Sequence, residues 1–162
     1  AESQIRETLF AVYCAHRNIV IIYPNSDTGS DVMIKAIEEM PDFIYKFKSL
    51  PYLQFLSLLK NSDVIVGNSS TGLYEAALFG IPAIDVGTRQ ENREHGRNVI
   101  HLPHSKEEIQ ASLEKILTLA LISDKKPIST HFVSKVDGVK VIMDTLFETP
   151  INERLLQKRI TY

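Results

Sequence analysis

The run Gly67-Asn68-Ser69-Ser70-Thr71-Gly72 gathers hydroxyl and amide donors between two glycines. It follows the short apolar run Asp63-Val64-Ile65-Val66 and precedes a helical pattern carrying Leu73, Ala76, Ala77 and Leu78. Where a strand hands over to a helix, unsatisfied N–H groups and a partial positive charge favour an anion. Ser69, Ser70 and Thr71 add hydroxyl donors, and Gly67 and Gly72 permit close backbone approach, so diphosphate oxygens match the loop. N-capping alone is the competing reading, since Asn, Ser and Thr are preferred caps. One cap residue suffices for a helix, however, and four stand here in a row.

Glu75, about one turn into that helix, is within reach of a ligand on its N-terminus. Phosphate repels a carboxylate, so the sensible partner is a sugar diol, as in other nucleotide-binding folds. A solvent-facing glutamate favoured by the helix dipole fits the sequence equally well. The run Gly87-Thr88-Arg89-Gln90-Glu91-Asn92-Arg93-Glu94-His95-Gly96-Arg97 is dense in charge. Its arginines suit phosphate through their planar fork, but the same residues could form a solvated surface network. Position at a strand end turns Arg89 toward a ligand. Arg93 and Glu94 are left open between a structural ion pair and the sugar.

Pro103 rules out a helix that would bring His101 and His104 onto one metal, and solvated or capping roles suit them better. Patterns of the H-E-x-x-H, G-x-S-x-G and Walker A types do not occur. Nothing assembles a nucleophile, a base and an orienter, so no catalytic residue is assigned and no metal or cofactor is expected.

Elements that would position these loops alternate along the chain. Strands are expected at Asn18–Tyr23, Phe43–Phe47, Asp63–Val66, Pro82–Val86 and Asn98–Leu102. The third is apolar enough to be buried on both sides. Ser26 to Ser30 offers caps for a helix bearing Val32, Met33, Ala36, Ile37 and Met40. Pro51 suits the first turn of a helix with Leu53, Leu56 and Leu59 inward. Ser105 and Glu108 read as a capping box before a helix with Ile109, Leu113, Ile116 and Leu117 on its core face. Ser123 to Val136 reads as a polar loop, Val139 to Phe147 as a last amphipathic helix, and Pro150 to Tyr162 as a basic, partly apolar tail. The chain opens directly into helical sequence, with Ile5, Leu9, Val12 and Tyr13 on one face. An α/β domain usually begins with a strand, so this opening reads as the second half of something longer.

Strands separated by helices imply parallel β-α-β units with right-handed crossovers, covered on both faces. Their ligand site lies at the carboxyl ends of the strands. That rule selects Pro24–Gly29, Gly67–Gly72 and Gly87–Arg97.

The 162 residues suit one domain. A net charge of -2 without a basic block argues against nucleic-acid binding. The single cysteine, Cys14, excludes an internal disulfide and a thiolate cluster. It lies in an apolar run and reads as a small buried hydrophobe. No apolar stretch is long enough to span a bilayer, and the N-terminus lacks a signal peptide's features. No membrane partner is expected, and cytoplasm is the expected compartment.

The chain resembles the hydrolysing UDP-N-acetylglucosamine 2-epimerases from about Ile19 to Phe147. The resemblance rests on Tyr23-Pro24-Asn25-Ser26-Asp27-Thr28-Gly29-Ser30, on Gly67-Asn68-Ser69-Ser70-Thr71-Gly72-Leu73-Tyr74-Glu75, and on Gly87-Thr88-Arg89-Gln90 with Arg93-Glu94. Phe79-Gly80-Ile81-Pro82 and Asp137-Gly138 add weaker matches. It implies a Rossmann-like parallel sheet with helices on both faces, like the C-terminal domain of a GT-B fold. Residues 1–162 would form a single nucleotide-sugar-binding domain, with the catalytic half in an N-terminal domain of the same enzyme.

By the same resemblance, Asn25 contacts the nucleotide or its phosphates, Ser69 and Ser70 bind the diphosphate within the Asn68 loop, and Glu75 holds the ribose. Arg89 lies at the sugar and phosphate side, and the backbone at Phe47 and Lys48 meets the uracil edge. The implied partners are UDP, the UDP-sugar substrate and that N-terminal domain, with a homo-oligomer left open. The family's reaction eliminates UDP across C1 and C2 to a 2-acetamidoglucal, then adds water to give N-acetylmannosamine. A sialic-acid-type product route and a bacillosamine-type substrate both fit. Its acid and base carboxylates have no counterpart here, so the chain alone is expected to be inactive. Competing readings are the nucleotide-binding domain of a GT-B glycosyltransferase and a non-catalytic nucleotide-sugar sensor.

Overall fold

Helices and strands alternate as α1 (Glu2–Tyr13), β1 (Val20–Ile22), α2 (Ser30–Glu38), β2 (Tyr45–Phe47), α3 (Tyr52–Asn61), β3 (Ile65–Gly67), α4 (Glu75–Leu78), β4 (Ala83–Val86), β5 (Val99–Leu102), α5 (Lys106–Ala120) and α6 (Gly138–Glu148). A turn of 3-10 helix, Ser70–Gly72, precedes α4. The computed structural model describes residues 2–15, 17–120 and 137–150. Two compact units divide the chain, Ala1–Thr130 and His131–Tyr162. The expected polar loop and basic tail lie outside the described residues.

All strand pairs are parallel. β1 pairs with β2, Val20 opposite Tyr45. β3 pairs with β4, Gly67 opposite Asp85, and β4 with β5, Asp85 opposite His101. The strands thus form a two-stranded block in the order β1-β2 and a three-stranded block in the order β3-β4-β5.

Alternation along β4 sorts the layers. Ile84 and Val86 face α1 and α5, packing with Ala11, Ile109, Leu113 and Ile116. α1 also packs Leu9 on Ala36 and Ile37 of α2, with Ile21 of β1 beside them. A third cluster joins Leu59 of α3 to Ala76 and Ile81, with Ile65 and Phe79 at its margin.

Several expectations about the elements need correction. β3 is only half-buried, not covered on both sides, whereas all four residues of β4 are buried. α2 has no side-chain cap. Gly29 takes φ 89° and its turn supplies the start, with the Ser30 amide on the Asp27 carbonyl at 3.0 Å. In α3, Leu53 is exposed, while Phe55, Leu56 and Leu59 turn inward. Ser105 Oγ accepts from the Glu108 amide at 3.3 Å. The reciprocal arm of that capping box is absent, because the Ser105 amide donates to Pro103. Cys14 is half-buried rather than buried, and lines a groove of about 340 Å³ between α1 and α5. The last amphipathic helix is present as α6, with Asp137 Oδ1 accepting from the amides of Val139 and Lys140. No helix among the described residues is long and apolar enough to cross a membrane.

Candidate functional site

The loop Asn68–Thr71 leaves the carboxyl end of β3 and folds into the 3-10 turn rather than directly into a long helix. Ser69 is the cap of that turn, its Oγ accepting from the Thr71 amide at 3.3 Å. The amides of Gly72, Leu73 and Tyr74 turn back onto the carbonyls of Ser69 and Ser70. Those of Ser69 and Ser70 donate to no backbone carbonyl among the described residues, so they stand ready for an outside acceptor. Because α4 has only four residues, these local amides and hydroxyls, not a long helix dipole, define what the loop can hold. Both neighbours of the turn fix it from outside. Gln90, almost wholly buried, donates from Nε2 to the Asn68 carbonyl at 2.7 Å. Asn98, also buried, donates from Nδ2 to the Gly72 carbonyl at 2.9 Å and to Ile81 at 3.1 Å.

Close packing explains Gly72. A Cβ there would come within 3.1 Å of the Ala83 Cβ. Gly67, φ 145°, and Gly87, φ 90°, hold positive φ at the ends of β3 and β4, which a side chain disfavours.

The three strand-end loops approach one another in part. Arg89 donates from Nη2 to Asp27 Oδ2 at 3.1 Å, joining the loop after β4 to the loop after β1. Gln90 joins the loop after β4 to the Asn68 loop. Asn25 is exposed beside Asp27, whose amide donates to the Asn25 carbonyl at 2.8 Å. Glu75 opens α4 half-buried. Lys48 is exposed directly after β2, next to Phe47. Nothing links Lys48 to the other loops in the contacts described. Arg93 and Glu94 are exposed, and no ion pair between them is found among the described residues.

Sequence reasoning passed over Asp85. It sits in a fully buried strand, 2% exposed. His101 Nδ1 lies 2.8 Å from its Oδ2, and the tautomer with hydrogen on Nδ1 donates to it. His101 Nε2 in turn lies 3.1 Å from His95 Nε2, one ring donating and the other accepting. The rings meet edge to face. Asp85 Oδ1 has no partner among the described residues. Gly67, Ser69 and Asp85 line a cavity of about 40 Å³, room enough for an ordered water. An acid in the apolar run Ile84-Asp85-Val86 was the available signal. Gln90 and Asn98 carried none, because their partners are backbone carbonyls brought close only by the fold.

Parallel strands, helices on two faces and loops gathered at the strand ends define a Rossmann-like α/β domain. The model of the family "UDP-N-acetylglucosamine 2-epimerase" matches residues 1–141, and the chain belongs to that family. It is 39% identical over 110 residues to UDP-N-acetylglucosamine 2-epimerase of Neisseria meningitidis serogroup B, covering 67% of this chain and 29% of that protein. It is 35% identical over 116 residues to UDP-N,N'-diacetylbacillosamine 2-epimerase (hydrolyzing) of Legionella pneumophila, covering 70% of this chain and 31% of that one. The chain thus spans about a third of the length of these relatives. A crystal structure of Methanocaldococcus jannaschii UDP-GlcNAc 2-epimerase in complex with UDP-GlcNAc and UDP matches with TM-score 0.65 at 18% identity, over 91% of this chain and 41% of that one. That likeness bears on the fold, which is the one expected for the C-terminal domain of a GT-B arrangement.

Proposed function

We propose that this chain is the nucleotide-holding domain of a hydrolysing 2-epimerase acting on UDP-N-acetylglucosamine or a related UDP-2-acetamido sugar. The observation that carries the reading is the Asn68–Thr71 loop, with two unclaimed amides and three hydroxyls at the carboxyl end of β3. Ser69 and Ser70 hold the diphosphate, Asn25 and Arg89 approach it from the neighbouring loops, Glu75 takes the ribose, and Lys48 lies by the uracil. Family membership and relatives named as hydrolysing enzymes support the reaction class.

In the proposed reaction UDP leaves from C1 as a proton leaves C2, and water then adds to the glycal to give the 2-epimer. This chain binds and orients the leaving diphosphate. The acid and base groups for the proton steps come from an N-terminal domain of the same enzyme. By itself the chain binds UDP weakly and turns nothing over.

Calorimetry with UDP tests the site directly. The chain should release binding heat that Ser69→Ala/Ser70→Ala largely loses. Equal heats from both proteins would remove the assignment. For the reaction, the full-length enzyme given UDP-N-acetylglucosamine alone should release free N-acetylmannosamine, whereas a requirement for an acceptor would point to glycosyl transfer.

A further inference from the structure

His95 and His101 come together from a strand and the loop before it. His101 stands in β5 opposite Asp85 of β4, and the loop Gly87–Arg97 brings His95 back to its side. The backbone after His95 is fixed, because Gly96 and Asn98 are buried and the Asn98 side chain holds the Gly72 and Ile81 carbonyls. Each ring turns its Nδ1 to an oxygen behind it. For His101 this is Asp85 Oδ2 at 2.8 Å, and for His95 the Gly96 carbonyl at 2.9 Å. A carboxylate and a carbonyl only accept, so both Nδ1 atoms carry hydrogen. A neutral imidazole has a single N–H, which leaves both Nε2 atoms with bare lone pairs. Those two atoms lie 3.1 Å apart.

Two lone pairs at that distance need a positive centre beside them. In the free protein a hydrogen on one ring supplies it, but the contact is bent. Nitrogens meeting head-on at 3.1 Å would leave the ring centroids about 5.4 Å apart. The centroids are 4.7 Å apart with the planes at 72°, so the rings meet at an angle, and bending weakens a hydrogen bond. A shared metal ion needs that angle. Zinc holds imidazole nitrogens at ~2.0–2.1 Å, which at a tetrahedral angle sets them about 3.3 Å apart. The oxygens behind the rings match too. A metal-binding histidine gives its other N–H to a carboxylate or a backbone carbonyl, which fixes its tautomer and its orientation. Asp85 and Gly96 are placed to do so. Asp85 is moreover 2% exposed, and no lysine or arginine pairs with it among the described residues. A carboxylate buried there is costly without positive charge nearby.

We propose that His95 Nε2 and His101 Nε2 together bind a divalent transition-metal ion of the zinc type, with Asp85 and the Gly96 carbonyl holding the rings from behind and water filling the other positions. Imidazole suits such ions, whereas magnesium and calcium prefer oxygen. No group of three or more His, Cys, Asp or Glu side chains able to hold a metal gathers among the described residues, so the protein's share of the coordination is these two nitrogens. His104 lies against Gly87 and takes no part. His95 is exposed and the His101 side chain is 37% exposed, so an ion reaches the pair from solvent. Bound there, it ties the end of the loop that carries Arg89 and Gln90 to β5, and the hydrogen it displaces leaves as a proton. The site stands on these side chains alone and does not depend on which ligand the strand-end loops hold.

Zinc ion titrated into the chain, followed through the imidazole nitrogen signals in NMR, tests the site. The Nε2 signals of His95 and His101 should move together and saturate at one ion per chain, while both Nδ1 atoms keep their hydrogens. Magnesium at the same concentration should move neither signal. His95→Ala, at an exposed position, should keep the parent's melting temperature and lose this binding. Asp85→Asn keeps both imidazoles and should weaken zinc binding by roughly 10- to 100-fold, the loss of an orienting carboxylate. The proposal is overturned by the absence of saturable binding in the parent, or by zinc binding that survives His95→Ala and so belongs to another part of the chain. Movement of an Nδ1 signal in place of Nε2 overturns it as well. So does unchanged zinc affinity in Asp85→Asn, the behaviour of ordinary surface histidines.

Discussion

Arg89 and Asp27 stand 62 positions apart in the chain and meet at 3.1 Å, Nη2 to Oδ2. Both side chains are more than half exposed, so the pair contributes little to stability, ~0–1 kcal/mol. Its consequence is for binding. The carboxylate of Asp27 competes with any phosphate for the same guanidinium. Arg89→Ala should weaken UDP binding by roughly 10- to 100-fold, the loss of a charge-assisted hydrogen bond. Asp27→Asn should leave affinity unchanged or raise it, with a melting temperature close to that of the parent. Calorimetry on both variants checks the pair. Equal weakening by both would mean that the pair itself shapes the site.

Ser69 separates capping from ligand binding. Ser69→Ala removes a cap and should cost about 0.5–2 kcal/mol in denaturant unfolding. Ser69→Asp retains a good capping acceptor but places a carboxylate where the diphosphate is proposed to sit. Stability near that of the parent together with loss of UDP binding is the expected result. Retained binding in Ser69→Asp would assign the loop to capping alone.

Asp85 relies on His101, the one partner found for it among the described residues. Removing a partner from a buried polar group costs more than replacing the group itself. His101→Ala should therefore destabilise the fold by about 1–3 kcal/mol. Asp85→Asn should cost less, because the amide oxygen still accepts from His101. His95→Ala, at the exposed end of the chain of contacts, should cost least. Urea midpoints of the three variants give the order.

Tyr23 donates its hydroxyl to Glu38 Oε1. That hydrogen bond to the carboxylate, with smaller contributions from desolvation and charge, raises the phenol above its ordinary value of about 10. A group raised on folding contributes stability below its unfolded value and loses it as pH rises through the folded one. The Tyr23–Glu38 contact should therefore hold through neutral pH and be lost in alkali. A spectroscopic tyrosinate titration compared with Tyr23→Phe should assign the missing ionisation to a pH above that of free tyrosine. Assignment at or below free tyrosine would mean that the contact does not persist in solution.

Much of the fold was legible because parallel strands and amphipathic helices write their periods into the sequence. Pro24 and Pro82 bound their strands, and Ile109, Leu113 and Ile116 lie on the core face that their spacing implies. Short-range capping was legible only in part. Asp137 caps α6 from its own side chain, yet α2 starts from the left-handed turn at Gly29. A backbone turn leaves a weaker mark than a cap. The burial of β3 was misjudged because apolar composition reports what a strand can tolerate, not which neighbours stand beside it.

What the sequence alone determined was local: where donors cluster, where strands must stop, and which helix faces are apolar. Those features depend on neighbours a few residues away, whose spacing the chain fixes. Only the tertiary structure brought Gln90 onto the Asn68 carbonyl, Asn98 onto Gly72, His101 onto Asp85 and Arg89 onto Asp27. Each of those contacts closes a long loop between elements, and its geometry exists only after the layers have packed.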